Sequence, residues 1–332
     1  MTQVARAVAA VAGMAMVATT LSGCSVNPTT GKSQFNLLSR EQEIQMGSEA
    51  QLQLTQEMGG EVARTDLQGY IAEVGSKLAA VTEADNPSLP WEYTLLDSDV
   101  INAFALPGGK VFMSRGLASK MTNEAQLAAV LGHEVGHVTA RHINDRMAQS
   151  TLISGASNVA QVLLESSQPG LGEVAPQVIQ LGGQSVLMRF SRGQELEADA
   201  LGVRYMVRNN YDPRGAFQVQ EILEAAMEGE GRGTEFFSTH PYPKTRMERI
   251  AGLLQGEYAY TQNNPQFTLR PEPFKERYLS KVAAAYPNAG PSRFATAADA
   301  AVFARYGLAD ARGWCAHCAS AAPAGPDAGP AR

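Results

Sequence analysis

Apolar residues recur at helical spacing in two long runs of this chain. Leu67, Tyr70, Ile71, Val74, Leu78 and Val81 form one stripe, with Thr65 and Gln68 placed as a capping box before it. Leu127, Val130, Leu131, Val135 and Val138 form the other, behind Asn123 and Gln126. No proline falls between residues 124 and 146, so one unbroken helix is expected through that run. Ser39 with Gln42, and Ser191 with Gln194, repeat the capping pattern and open two further helices. The period changes to two over residues 91–96, which read as a strand after a loop at 83–90. Residues 102–106 and 110–114 read as two more strands joined by Pro107-Gly108-Gly109. The pattern predicts an α+β fold, mostly helical, with a small sheet or hairpin next to the helix that starts at Asn123.

Length and composition narrow the organisation. The 332 residues, 44% of them hydrophobic, suffice for one medium-sized domain with appendages. A net charge of −6 and the lack of a basic patch with interleaved aromatics exclude nucleic acid as a partner. Residues 1–23 read as a lipoprotein signal. Arg6 precedes an apolar run over 7–20 that falls short of the roughly 20 residues needed to span a bilayer. Leu21-Ser22-Gly23-Cys24 matches a bacterial lipobox, so Cys24 is the expected lipidation site; an ordinary secretory signal is the alternative. Ser25 after that cysteine resembles Gram-negative lipoproteins of the outer membrane, which implies an anchored protein facing the periplasm of a bacterial envelope. No later segment is apolar enough to span, so the mature body is expected to be soluble.

The remaining boundaries follow composition. Residues 24–38 read as a tether, 39–255 as the main domain, 256–312 as an extension, and 313–332 as a Pro-, Ala- and Gly-rich tail. That tail carries Cys315 and Cys318, for which a local disulfide in an oxidising compartment is the simple reading. Residues 151–188 are either a lid over the cleft or a plain helix connection.

The chemistry sits in His133-Glu134-Val135-Gly136-His137. Two histidines four apart on a helix project from nearly the same face and can reach one metal ion. Glu134 is placed to take a proton from a water the metal activates, which is the H-E-x-x-H arrangement of zinc peptidases. A catalytic zinc takes three protein ligands and one water. His142 is a poor third ligand, because five residues turn a continuing helix about 140° past His137; it reads as structural or surface. Glu195 is the better candidate, with Asp199 one turn on to accept the free ring N–H of a ligating histidine. Glu197 competes for the ligand role but lies about 160° around the helix from Glu195.

Several ordered motifs carry a family resemblance. They are Asn102-Ala103-Phe104-Ala105-Leu106-Pro107-Gly108-Gly109, the helix over 123–142, Glu195-x-Glu197-Ala198-Asp199, and Thr239-His240-Pro241 with Arg246. Together they make the chain resemble the HtpX, BepA and LoiP group of membrane-associated zinc peptidases, family forty-eight of the metallopeptidases, related to the type I CAAX prenyl protease and the mitochondrial Oma protease. The resemblance implies a gluzincin-like fold, one Zn2+ on His133, His137 and Glu195, and Glu134 as base. It also implies endopeptidase action on misfolded or misassembled envelope polypeptides. No 34-residue repeat follows the catalytic part, so the short LoiP-like form fits better than the repeat-bearing one.

Three further roles are expected. Asn102, Ala103, Phe104 and Ala105 form either a sheet edge to which an extended substrate adds as a strand, or an internal hairpin strand. His240 and Arg246 are candidate donors to the oxyanion. His240 could instead occupy the metal's open position and hold the enzyme latent. A second functional class, a periplasmic chaperone on a peptidase fold, is opposed by the intact Glu134.

Overall fold

The first predicted stripe becomes a helix because its apolar face has a sheet to cover. In a computed structural model that describes residues 24–151, 189–230, 236, 239–241 and 243–286, strands β1 (Cys24–Val26) and β2 (Ser33–Phe35) pair as an antiparallel hairpin. Helix α1 (Arg40–Glu57) follows, closed by the Ser39–Gln42 capping box. Helix α2 (Thr65–Ala79) then buries Leu67, Tyr70, Ile71, Val74 and Leu78. Its expected cap is absent: Arg64 holds the N-cap position and its side chain caps no backbone group, bonding Asp66 instead. Gln68 is used elsewhere, donating to the Leu95 carbonyl at 2.8 Å and accepting from Leu95 N at 2.8 Å, which ties the helix to the sheet.

The sheet holds β3 (Glu92–Leu96), β4 (Ala103–Leu106) and β5 (Lys110–Ser114) in the order β3-β5-β4. β5 runs parallel to β3 and antiparallel to β4. The expected half-buried alternation is replaced by burial on both faces. Tyr93, Leu95, Ala103, Ala105, Val111 and Met113 join the main core with α2, while Leu96, Phe104, Leu106 and Phe112 pack with Leu54 of α1. The hairpin turn needs its glycines: Gly108 and Gly109 have φ of +78° and +96°, and a Cβ on Gly108 would lie 2.4 Å from Ile44 Cα.

Behind the sheet lie α3 (Glu124–Thr139), α4 (Arg192–Arg208), α5 (Arg214–Glu230) and α6 (Pro243–Gln255). Every residue of α3 is buried. It crosses α4 closely because small residues face each other: a Cβ on Gly136 would sit 2.9 Å from the Ala198 carbonyl oxygen, and one on Gly202 2.9 Å from His133 N. Both obstacles are backbone and cannot swing away. Gly202→Val is therefore expected to cost about 1–3 kcal/mol in denaturant unfolding, as overpacking does.

Four expectations are corrected. The helix over 124–146 is broken: it ends at Thr139, Arg141 takes φ +57°, and a new helical turn begins at residue 142. The break is capped by the N-terminal hairpin, where Asn27 Nδ2 donates to the Thr139 carbonyl at 3.1 Å and Gln34 Nε2 to the Ala140 carbonyl at 2.7 Å. Residues 24–38 are thus a docked part of the domain rather than a loose tether. At the other end, Tyr258, Phe267, Phe274, Tyr278 and Val282 belong to the main core, so the domain runs past residue 255. The fourth, the capping of α2, is given above. The signal at 1–23, the candidate lid over 151–188 beyond its first residue, Cys315, Cys318 and the tail lie outside the described residues. No helix among the described residues is long and apolar enough to cross a membrane.

Candidate metal centre

The close crossing of α3 and α4 brings their polar residues together. His133 and His137 lie one turn apart on α3, and the Ser191–Gln194 capping box starts α4 so that Glu195 falls in its first turn. The loop before α6 adds His240. One nitrogen or oxygen from each of His133, His137, Glu195 and His240 lies within 4.8 Å of the others, and all four residues are buried. His133 Nε2 is 3.0 Å from His137 Nε2 and 3.3 Å from His240 Nδ1. Glu195 lies 3.6 Å from each of His133 Nε2 and His137 Nε2, and 3.1 Å from His240 Nδ1. Zinc–nitrogen bonds of about 2.05 Å at tetrahedral angles put ligand atoms roughly 3.3 Å apart. The cluster has the size of one coordination shell.

Charge and unmet bonding agree. Glu134, Glu195 and Asp199 oppose the Arg246 guanidinium inside the same buried pocket, a formal −2 with neutral imidazoles, which a divalent cation balances. Both Glu134 oxygens and His240 Nε2 are buried and make no hydrogen bond among the described residues; Glu134 Oε1 and His240 Nε2 stand 3.7 Å apart. A buried carboxylate without partners is costly unless something else meets it. The residues present fit a divalent cation.

Surroundings set the protonation of each group in the bare pocket. Burial pushes the Glu134 carboxyl up and holds the His137 imidazole well below its ordinary value. Burial also opposes ionisation of Glu195, but His240 and Arg246 outweigh it and leave the carboxyl low. For Asp199 burial is outweighed by Arg246 and His133. Burial works against a charged His240, yet Glu195 and Glu134 raise it.

Asp199 Oδ1 lies 2.9 Å from His133 Nδ1, where it can fix that ring's tautomer. Arg246 stands behind it. Its Nε donates to Asp199 Oδ2 at 2.8 Å, Nη2 to Oδ1 at 2.7 Å, and Nη1 faces Glu195 Oε2 at 3.0 Å. Arg246 is thus committed to two carboxylates rather than turned toward an attacked carbonyl. The segment expected to meet substrate splits: Ala103, Phe104 and Ala105 lie in β4 at the sheet's edge, and Asn102 immediately precedes it. All four are buried, and Asn102 Oδ1 has no hydrogen-bond partner among the described residues. Ala105 and Leu106 share a small cavity with His137 and Val138.

Two residues that the sequence sets aside as metal ligands lie beside the centre. A continuous helix would turn His142 away; the break at Arg141 returns it to His137, Nδ1 to Nδ1 at 2.9 Å. Glu197, set aside as a ligand, meets His142 Nε2 at 3.2 Å. The helix end was hidden because the groups that cap it, Asn27 and Gln34, lie over a hundred residues away in sequence.

Comparison with known proteins bears on this geometry. The profile of peptidase family M48 matches residues 65–254, which hold all four cluster residues. The mitochondrial metalloendopeptidase OMA1 of Schizosaccharomyces pombe is 32% identical over 227 residues, 67% of this chain and 64% of that protein. The beta-barrel assembly-enhancing protease of Escherichia coli is 32% identical over 225 residues, 66% of this chain and 45% of that protein. The human mitochondrial metalloendopeptidase OMA1 is 26% identical over 253 residues, 73% of this chain and 48% of that protein. The chain spans between about half and two-thirds of the length of these relatives.

Proposed function

This chain belongs to peptidase family M48, and from that footing we propose that it is a zinc metalloendopeptidase, lipid-anchored in a bacterial envelope, acting on misfolded or misassembled polypeptides. The observation that carries the proposal is a buried Glu134, without a hydrogen bond among the described residues, beside four convergent ligand groups. His133, His137 and Glu195 would hold the ion, which when bound supplies Lewis-acid activation of water and of the scissile carbonyl. Two imidazoles and a carboxylate suit zinc among divalent ions. Glu134 takes the proton from the attacking water and returns it to the leaving amine. Asp199 keeps His133 Nε2 free to bind, and Arg246 holds Asp199 and Glu195 in place. Ala103, Phe104 and Ala105 lie in the edge strand, with Asn102 just before it, and an extended peptide would add there as a further strand.

His240 completes a four-residue set, and four protein ligands leave no place for substrate. An ion held by all four would be latent in this reading. Displacing His240 would open the site. His240→Ala is expected to loosen zinc and to raise cleavage of a small unfolded substrate severalfold. Unchanged turnover together with unchanged spectra of a cobalt-substituted site would remove His240 from the account.

The envelope role is supported by the lipobox at Cys24 and by likeness to a protein named for β-barrel assembly. The closed four-residue set also favours a second reading, a chaperone that binds such polypeptides with little turnover. An unfolded outer-membrane β-barrel protein separates the two. Cleavage that a chelator stops and zinc restores supports the peptidase. Binding without cleavage, at any zinc concentration, supports the chaperone.

A further inference from the structure

His137 has an orienting chain of its own. Its Nε2 points into the ligand cluster, 3.0 Å from His133 Nε2. Its Nδ1 lies 2.9 Å from His142 Nδ1, and His142 Nε2 lies 3.2 Å from Glu197 Oε2. Glu197 Oε1 continues to Lys32 Nζ at 2.7 Å, in the N-terminal hairpin. Phe190 stacks on the His137 ring at 3.9 Å between centroids and fixes its plane. His142 is 1% exposed, and both its ring nitrogens are engaged in this chain.

The order of donors follows from proton counting. Two facing Nδ1 atoms at this distance share one proton. A carboxylate accepts only, so Glu197 selects the Nε2–H form of neutral His142. His142 Nδ1 is then an acceptor, and His137 must donate from Nδ1. That leaves the His137 Nε2 lone pair pointing into the cluster. Asp199 does the same for His133 directly; here one more imidazole is interposed.

We propose that His142 and Glu197 are positioning residues that hold His137 in its metal-binding tautomer, a Glu–His–His relay anchored by the hairpin that follows Cys24. The inference rests on the metal-centre reading above and adds to it. Lys32 is 63% exposed at the end of the chain, so its ion pair contributes little. Asn27 and Gln34 of the hairpin bond the carbonyls of Thr139 and Ala140, and Leu37 and Leu38, just after it, pack with Ile143, Met147 and Phe190 beside the restarted helix.

The test uses the mature protein with His142→Leu, His142→Asn and Glu197→Ala. An Asn side chain places an oxygen near the position of the imidazole Nδ1 and can still accept from His137; Leu cannot. Zinc affinity by chelator competition is expected to fall about 10–100-fold in His142→Leu and in Glu197→Ala, and to stay near wild type in His142→Asn. Nitrogen-15 spectra of the metal-free wild type are expected to show His137 protonated at Nδ1, and His142→Leu to show mixed tautomers. A folded His142→Leu with wild-type zinc affinity, or a wild-type His137 protonated at Nε2, overturns the relay. If His142→Leu does not fold, Glu197→Ala, altered at a partly exposed site, decides by the same affinity measurement. A wild type that takes up no metal would sink the metal-centre reading instead, and the imidazole spectra would still judge the relay.

Discussion

Glu134→Gln is expected to abolish peptide-bond hydrolysis while the protein keeps its fold and its metal. Gln fills the same volume, so the fully buried site on α3 is not opened. Glu134 is outside the converging ligand set, so its loss leaves His133, His137, Glu195 and His240 in place. What disappears is the only carboxylate in the centre whose two oxygens are both free of hydrogen bonds among the described residues. An amide cannot accept the water's proton at any accessible pH. A positioned base contributes about 10²–10⁴-fold to such a step, and the leaving amine loses its proton donor as well. The measurement is turnover of an unfolded protein by both forms, with zinc content determined on the same samples. Cleavage within a few-fold of wild type would remove Glu134 from the mechanism, and equal complementation by both forms in cells would favour the chaperone.

Arg246→Met is expected to be the most destabilising single change at the centre. The guanidinium is buried and bonded to Asp199 through two nitrogens, with Glu195 on a third. Met keeps much of the volume but removes the one fixed positive charge among three buried carboxylates. Breaking a buried ion network by deleting one partner costs about 3–5 kcal/mol, because the stranded charges cannot reach water. Metal-free protein should show the full loss in denaturant titration. Saturating zinc should recover part of it, since the dication opposes the same carboxylates. A loss under about 1 kcal/mol would mean that Arg246 does not hold the carboxylates.

Local chemistry made much of this centre legible. The caps at Ser39, Asn123 and Ser191 and the stripe of α2 are written in neighbouring residues, and the helices form where those signals stand. His133, His137, Glu195, Asp199, His240 and Arg246 could each be named because their spacing or motif singles them out. What stayed hidden depends on distant partners. Gln68 leaves its cap for Leu95, a strand residue. The break at Arg141 exists because Asn27 and Gln34 take the carbonyls of Thr139 and Ala140, and with it came the misplacement of His142. The apolar residues beyond Tyr258 were too dispersed to show the core they complete. Gly132, Gly136 and Gly202 are a local signal as well, small residues on the two helices that meet closely.

The most direct measurement is a crystallographic anomalous map collected at the zinc absorption edge from protein equilibrated with one equivalent of zinc. The account predicts a single peak about 2.0–2.2 Å from His133 Nε2, His137 Nε2 and a Glu195 carboxylate oxygen. A map with no peak, or a peak held by other side chains with Glu195 turned away, would contradict it.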